Sequence, residues 1–165
     1  MIGKRDILTA LFAAVLLAGC ATGPKYDTSA IDLSITPQQA VVESEALQGA
    51  QVLWGGIIIA SANLKEVTQF EILAYPLDSS QKPLVDKTAL GRFFAQQVDY
   101  LETSDYTQGR LITVNGILQD KKTGRIGDSE YTYPLVNINQ HYLWPRQNDT
   151  SDASIRFGIG VMIHN

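Results

Sequence analysis

Apolar and polar positions divide this chain into stretches of different period. Ile7 to Ala18 is apolar apart from Thr9 and follows Lys4 and Arg5. A run of about a dozen residues falls short of the ~20 that a membrane-spanning helix needs, and its charge-then-apolar order is that of a secretory leader. Residues 21–34 are small and polar, with Gly23 and Pro24 early, and no period is sustained, so a flexible spacer is expected. Thr36-Pro37 then reads as a helix start: a hydroxyl to cap the first free N–H groups, then a proline at the first helical position. Val41, Val42 and Leu47 would form its apolar face and Gly49 its stop. A loop with one helical turn is the alternative.

From Gln51 the texture is that of strands. Val52 to Ala62 is apolar and β-branched, and the Gly55-Gly56 pair inside it marks a bulge, a bend or a close backbone approach. Asn63 to Glu66 reads as a turn. Val67 to Leu77 places Phe70, Ile72 and Ala74 on one face and Gln69, Glu71, Leu73 and Tyr75 on the other. A loop with Pro83 follows over 78–86. Leu90 to Val98 is ambiguous because Phe93 and Phe94 are adjacent; a strand over 91–96 is expected, then a turn through residue 108. Arg110 to Gln119 is a strand with Ile112, Val114 and Leu118 on one face. Asp120 to Glu130 reads as a polar turn, and Tyr131 to Trp144 as one long aromatic strand ended by Pro145. Beyond a polar stretch, Ile155, Phe157, Ile159, Val161 and Ile163 alternate with Arg156, Gly158, Gly160, Met162 and His164. This segment is expected to pair as a strand, closing the barrel or augmenting a partner's sheet.

The pattern predicts a mainly β fold: a small, strongly bent antiparallel sheet closed into a barrel, which removes exposed edges, preceded by a short helix. The division that follows is a signal peptide over 1–19, a tether over 20–35, the barrel over 36–145 and a C-terminal extension over 146–165.

Composition narrows the function classes. Cys20 is the only cysteine in 165 residues, so no intrachain disulfide forms and the domain is held by burial alone. The net charge is −4, and loss of a leader carrying Lys4, Arg5 and Asp6 makes the remainder more acidic. Such a chain lacks the basic face that nucleic acid requires, and it has no polybasic run for anionic lipid.

Leu17-Ala18-Gly19-Cys20 closes the apolar run and resembles a bacterial lipobox. The resemblance implies cleavage between Gly19 and Cys20 and acylation of the Cys20 thiol, with palmitate among the chains. Two or more acyl chains at ~0.8 kcal/mol per buried CH₂ make a stable anchor. Ala21, rather than an aspartate, follows the cysteine, which by analogy implies sorting to the outer membrane.

Further pieces match in order: Trp54-Gly55-Gly56-Ile57; Glu71 with Tyr75-Pro76-Leu77-Asp78 and Pro83; Gly91-Arg92-Phe93; Gly109-Arg110-Leu111 leading to Thr113-Val114-Asn115-Gly116; Tyr133-Pro134-Leu135 leading to Leu143-Trp144-Pro145. On these the chain resembles the Slp family of outer-membrane lipoproteins. The resemblance implies an OB-like barrel, a starvation- or stress-associated envelope role and no enzymatic activity. Relatives tend to carry a histidine and acids before the Leu-Trp-Pro element. Here Tyr142 stands at the histidine position, His141 falls one place earlier, and Asn137 and Asn139 replace the acids.

Candidate chemistry is sparse. Two histidines, His141 and His164, and no spare cysteine make a poor metal set, so neither metal nor cofactor is expected. No Gly-x-Ser-x-Gly elbow or phosphate loop occurs. Asp78, Asp86, Asp99, Glu102 and Asp105 are scattered over loops; a periplasmic hydrolase using two of them is the alternative to a non-catalytic binding or structural role. Trp54, Tyr75, Tyr142 and Trp144 lie on expected strands and form a candidate ligand or partner surface. The expected partners are the membrane through the anchor, the lipoprotein-processing and sorting machinery, and an envelope protein or small ligand.

Overall fold

The computed structural model describes residue 23 and residues 25–146. Two short helices, α1 (Pro37–Val42) and α2 (Ser44–Leu47), precede seven strands. These are β1 (Gln51–Asn63), β2 (Thr68–Tyr75), β3 (Gly91–Gln97), β4 (Leu111–Leu118), β5 (Lys122–Ile126), β6 (Ser129–Tyr133) and β7 (Leu135–Leu143). Five of them close a barrel in the order β1-β2-β3-β7-β4, and β5-β6 is a separate two-stranded hairpin. The expected fold class is the observed one. All barrel pairings are antiparallel except β3 with β7, which run parallel over three residue pairs, Phe94–Leu135 to Gln96–Asn137.

Closure depends on β1, whose 13 residues serve two neighbours. Gly55 pairs with Tyr75 of β2 on one side and with Thr113 of β4 on the other. Such a shared strand must coil, and the register slips between Ile58 and Ala60. Gly56 makes the coil possible, because a Cβ there would overlap the carbonyl oxygen of Leu73. Gly116 serves the β4–β7 seam in the same way, facing the carbonyl oxygen of Asn137 next to a register shift. Inside, Ile58, Phe70, Ile72, Phe93, Ile112 and Val114 are fully buried. The Trp54 ring meets Phe93 edge-on at 5.1 Å.

Both ends of the barrel are stoppered. At one end sits α1, started by a complete capping box: Gln39 N–H donates to Thr36 Oγ1, and Gln39 Oε1 accepts from Thr36 N–H. The expected apolar face is corrected here. Val42 is 84 % exposed, and Pro37 and Ala40 are the buried positions. A six-residue helix buries only the side toward its barrel, and Val42, two positions on from Ala40, falls on the opposite side. Gly49, at φ +83°, ends the helical stretch as expected. At the other end Tyr106 packs on Phe70, with ring centroids 5.0 Å apart, and Ser61 Oγ donates to the Tyr106 carbonyl.

Two further expectations are corrected. The polar turn over 120–130 is the β5–β6 hairpin, reversing at Gly127 with φ +58°. Its residues lack apolar alternation because β5 is mostly exposed. The long strand over 131–144 is two strands separated at Pro134, which has no N–H to continue a ladder. Tyr133, at the end of β6, stacks on Phe94 at 4.2 Å and donates its hydroxyl to Glu71, which also pairs with Arg92 at 2.7 Å. The C-terminal alternation over 155–163 lies outside the described residues.

Gly56→Ala and Gly116→Ala are each expected to cost about 2–4 kcal/mol, since backbone must move to admit the methyl group. Urea denaturation of the purified domain checks this; an unchanged midpoint in either variant would show that the seam tolerates a side chain.

Candidate functional site

Within the spacer expected over 20–35, the described residues dock on the barrel at Gly23, Tyr26 and Ile31. Tyr26 and Ile31 are 9 % and 8 % exposed and pack with Leu53 of β1, Leu77 and Tyr142 of β7. Residues 25–35 thus form a strap over the outer face of the barrel. Thr113 and Asn115 of β4 are also buried, Thr113 bonded to Gln81 and Trp144 and Asn115 to the Gln51 amide.

A clasp fixes the strap. The Gln81 amide accepts from Tyr26 N–H at 2.8 Å and donates to the Tyr26 carbonyl at 3.0 Å, as a neighbouring strand would. Gln81 itself sits at φ +66°, a left-handed conformation that costs a side-chain-bearing residue about 1 kcal/mol or more. Asp78 holds it there, accepting from Ser80 N–H, the Ser80 hydroxyl and Lys82 N–H. The Gln81 carbonyl in turn accepts from the Thr113 hydroxyl at 2.7 Å, whose oxygen accepts the Trp144 indole N–H at 2.9 Å. The relay therefore runs from strap to loop to β4 to the end of β7. Trp144 meets Tyr142 edge-on at 4.8 Å, and Gly23 lies on the Trp144 ring so closely that a Cβ would come within 2.9 Å of it.

Between strap, β1–β2 and the 76–81 loop lies a cleft of about 410 Å³. Leu33, Ile35, Leu53, Trp54, Leu77 and Leu90 give it apolar walls, and Lys25, Thr28, Asp78 and Ser79 stand among its polar groups. Of the four aromatic candidates, Trp54 and Tyr75 line this cleft. Tyr142 and Trp144 lie on the clasp side, so the four do not form one stacking face. Trp54 directs its indole N–H to the Ile35 carbonyl at 2.8 Å and is 6 % exposed, which makes it a wall rather than a platform. Cys20, Gly19 and His164 lie outside the described residues.

The remaining candidates are dispersed. Among the described residues no three His, Cys, Asp or Glu side chains converge as a metal set. His141 is half-buried and bonds Tyr106 Oη through Nε2 at 2.8 Å; desolvation lowers its pKa from 6.5. Asp78 and Asp86 both line a second cleft of about 730 Å³, together with Lys82, Arg110 and Arg146. Asp78 is held below the usual carboxylate range by the Ser80 hydroxyl and the Lys82 N–H, so it remains an anionic turn cap. Asp86 pairs with Lys87 in solvent. Sequence reasoning missed Tyr26, Gln81 and Thr113. The Asp78-Ser79-Ser80 run carried a turn signal, but nothing local identified Gln81 as the clasp.

The match to the family model described as the outer membrane lipoprotein Slp family extends over residues 17–159. This chain belongs to that family. One relative, named as an uncharacterized lipoprotein YeaY of Escherichia coli (strain K12), is 30 % identical over 144 residues, covering 85 % of this chain and 72 % of that protein. The outer membrane protein Slp of the same organism is 29 % identical over 136 residues, covering 81 % and 72 %. A solved structure, the mitochondrial single-stranded DNA-binding protein Rim1 of S. cerevisiae, is 14 % identical with a TM-score of 0.37 over 58 % of this chain and 95 % of that one. A likeness of that degree carries nothing about ligands.

Two outcomes are expected. Gln81→Ala removes both bonds to Tyr26 and should cost about 2 kcal/mol, read as faster tryptic cleavage after Lys25 before the barrel unfolds. Equal cleavage rates would show that apolar contacts alone hold the strap. For His141, the folded state binds a proton less tightly than the unfolded chain. Its contribution is therefore fully present above the unfolded pKa of 6.5 and declines as pH falls toward the lower folded value. Urea midpoints at pH 7 and pH 5 should differ less in His141→Gln than in the wild type.

Proposed function

We propose that the chain is cut before Cys20, acylated on that thiol, and held at the outer membrane as a non-catalytic lipoprotein with a binding or structural role in stress or starvation. The observation that carries this reading is the family match, which begins at Leu17, the first residue of Leu17-Ala18-Gly19-Cys20. The docked strap supports it. Gly23 rests against Trp144, and three residues of chain reach no further than about 10 Å, so an anchor at Cys20 holds the barrel close to the lipid surface.

Within this reading, 1–19 is the removed signal peptide and 20–35 is a tether whose free part is short. Its partners are the lipoprotein-processing and sorting machinery, then an envelope protein or a small ligand. The cleft beneath the strap suits the apolar part of such a ligand, with Lys25 and Ser79 available to its polar end. A hydrolase reading draws no support from Asp78, which is spent on its own turn.

Labelling of growing cells with radioactive palmitate should mark the wild type and leave Cys20→Ala unlabelled. Fractionation should then find the variant outside the outer membrane. Label on the variant would overturn the anchor.

A further inference from the structure

The barrel is closed, but one of its seams is short. β3 and β7 pair only from Phe94–Leu135 to Gln96–Asn137, after which β3 ends at Gln97. β7 continues to Leu143, paired with β4 on one side. Among the described residues no strand pairs with its other side over 138–143. The Trp144 N–H donates to the Leu111 carbonyl. By the alternation of an antiparallel ladder, His141 and Leu143 then turn their backbone groups away from β4.

This free side is the wall of a groove of about 540 Å³ lined by Gln97, Asn139, Gln140, His141 and Tyr142, with Lys25 and Tyr26 at its other margin. The chain leaving β3 beside it exposes two large apolar side chains, Val98 at 72 % and Tyr100 at 75 %. A free strand side with apolar groups next to it is the arrangement that proteins ordinarily cover.

We infer that the free side of β7 is a strand-docking site, and that its occupant is this chain's own segment Ile155–Ile163, added antiparallel to β7. The length of chain permits it. β7 ends at Leu143, and 11 residues, 144–154, separate it from Ile155, ample for a return loop. The period permits it too: Ile155, Phe157, Ile159, Val161 and Ile163 share one side, and Arg156, Gly158, Gly160, Met162 and His164 the other. The apolar side faces the groove and reaches toward Val98 and Tyr100. Six residues of β7 are available, so the first two-thirds of the segment pair and the rest continues past the end of β3.

Hydrogen–deuterium exchange on the full mature-length chain, with Cys20→Ser for solubility, tests the site. The His141 and Leu143 amides should be protected, and Ile159→Pro should speed their exchange about tenfold or more while leaving β1 and β2 unchanged. Equal exchange in both proteins would overturn the proposal. Cysteine pairs in the same background identify the occupant: Asn139→Cys combined in turn with Phe157→Cys, Gly158→Cys or Ile159→Cys. At least one pair should form a crosslink that runs as a monomer without reductant. Crosslinks found only in dimers would give the site to a second copy of the chain, and no crosslink in any pair would leave the segment without a place there; either result overturns the assignment.

Discussion

The barrel hangs on backbone-to-backbone contact at glycine. β1 must lie against β2 and β4 at once, and a 13-residue strand does this only by coiling sharply at its centre. At Gly56 the coil brings the carbonyl of Leu73 into the space where any other residue would keep its Cβ. Gly116 repeats the arrangement across β4 and β7. With these two contacts made, the inward side chains converge on one small interior, and α1 and the Tyr106 loop have defined ends to close.

The second layer is built on the first. Once β1, β4 and β7 curve together, their outer face presents Leu53, Thr113, Asn115 and Tyr142 in one patch, partly apolar and partly polar. The strap packs on Leu53 and Tyr142, while Thr113 is bonded to Gln81 and Trp144 and Asn115 to Gln51. A residue in strained left-handed backbone is thus kept where it is most useful, at the junction of strap, loop and barrel.

Much of this was legible in order of residues. β2 alternates as its burial does, β1 is a continuous apolar run buried on both faces over Val52–Gly56, and the Thr36-Pro37 start and the Gly49 stop of the helical stretch are cap chemistry written locally. The errors have a common source. The β5–β6 hairpin carries few apolar side chains, so it has no apolar side to signal its strands, and it meets the barrel through Tyr133 on Phe94 and Glu71, the Tyr131 hydroxyl at Arg92 and Lys122 at Gln69. Pro134 falls inside an aromatic run whose continuity hid the break. Val42 reads as part of an apolar stripe, yet the helix is too short for a stripe to matter.

By itself the sequence determined the family, the β class of the domain and the inward face of β2. Those properties reside in single residues or in periods of two, which neighbours along the chain are enough to specify. The tertiary structure decided the rest: that the spacer docks on the barrel at Tyr26 and Ile31, that Gln81 is its clasp, that Trp54 and Tyr142 belong to different surfaces, and that β3 and β7 pair over only three residues. Each of these joins residues far apart in the chain, such as Tyr26 and Gln81, whose partnership exists only after the barrel has curved to bring them together.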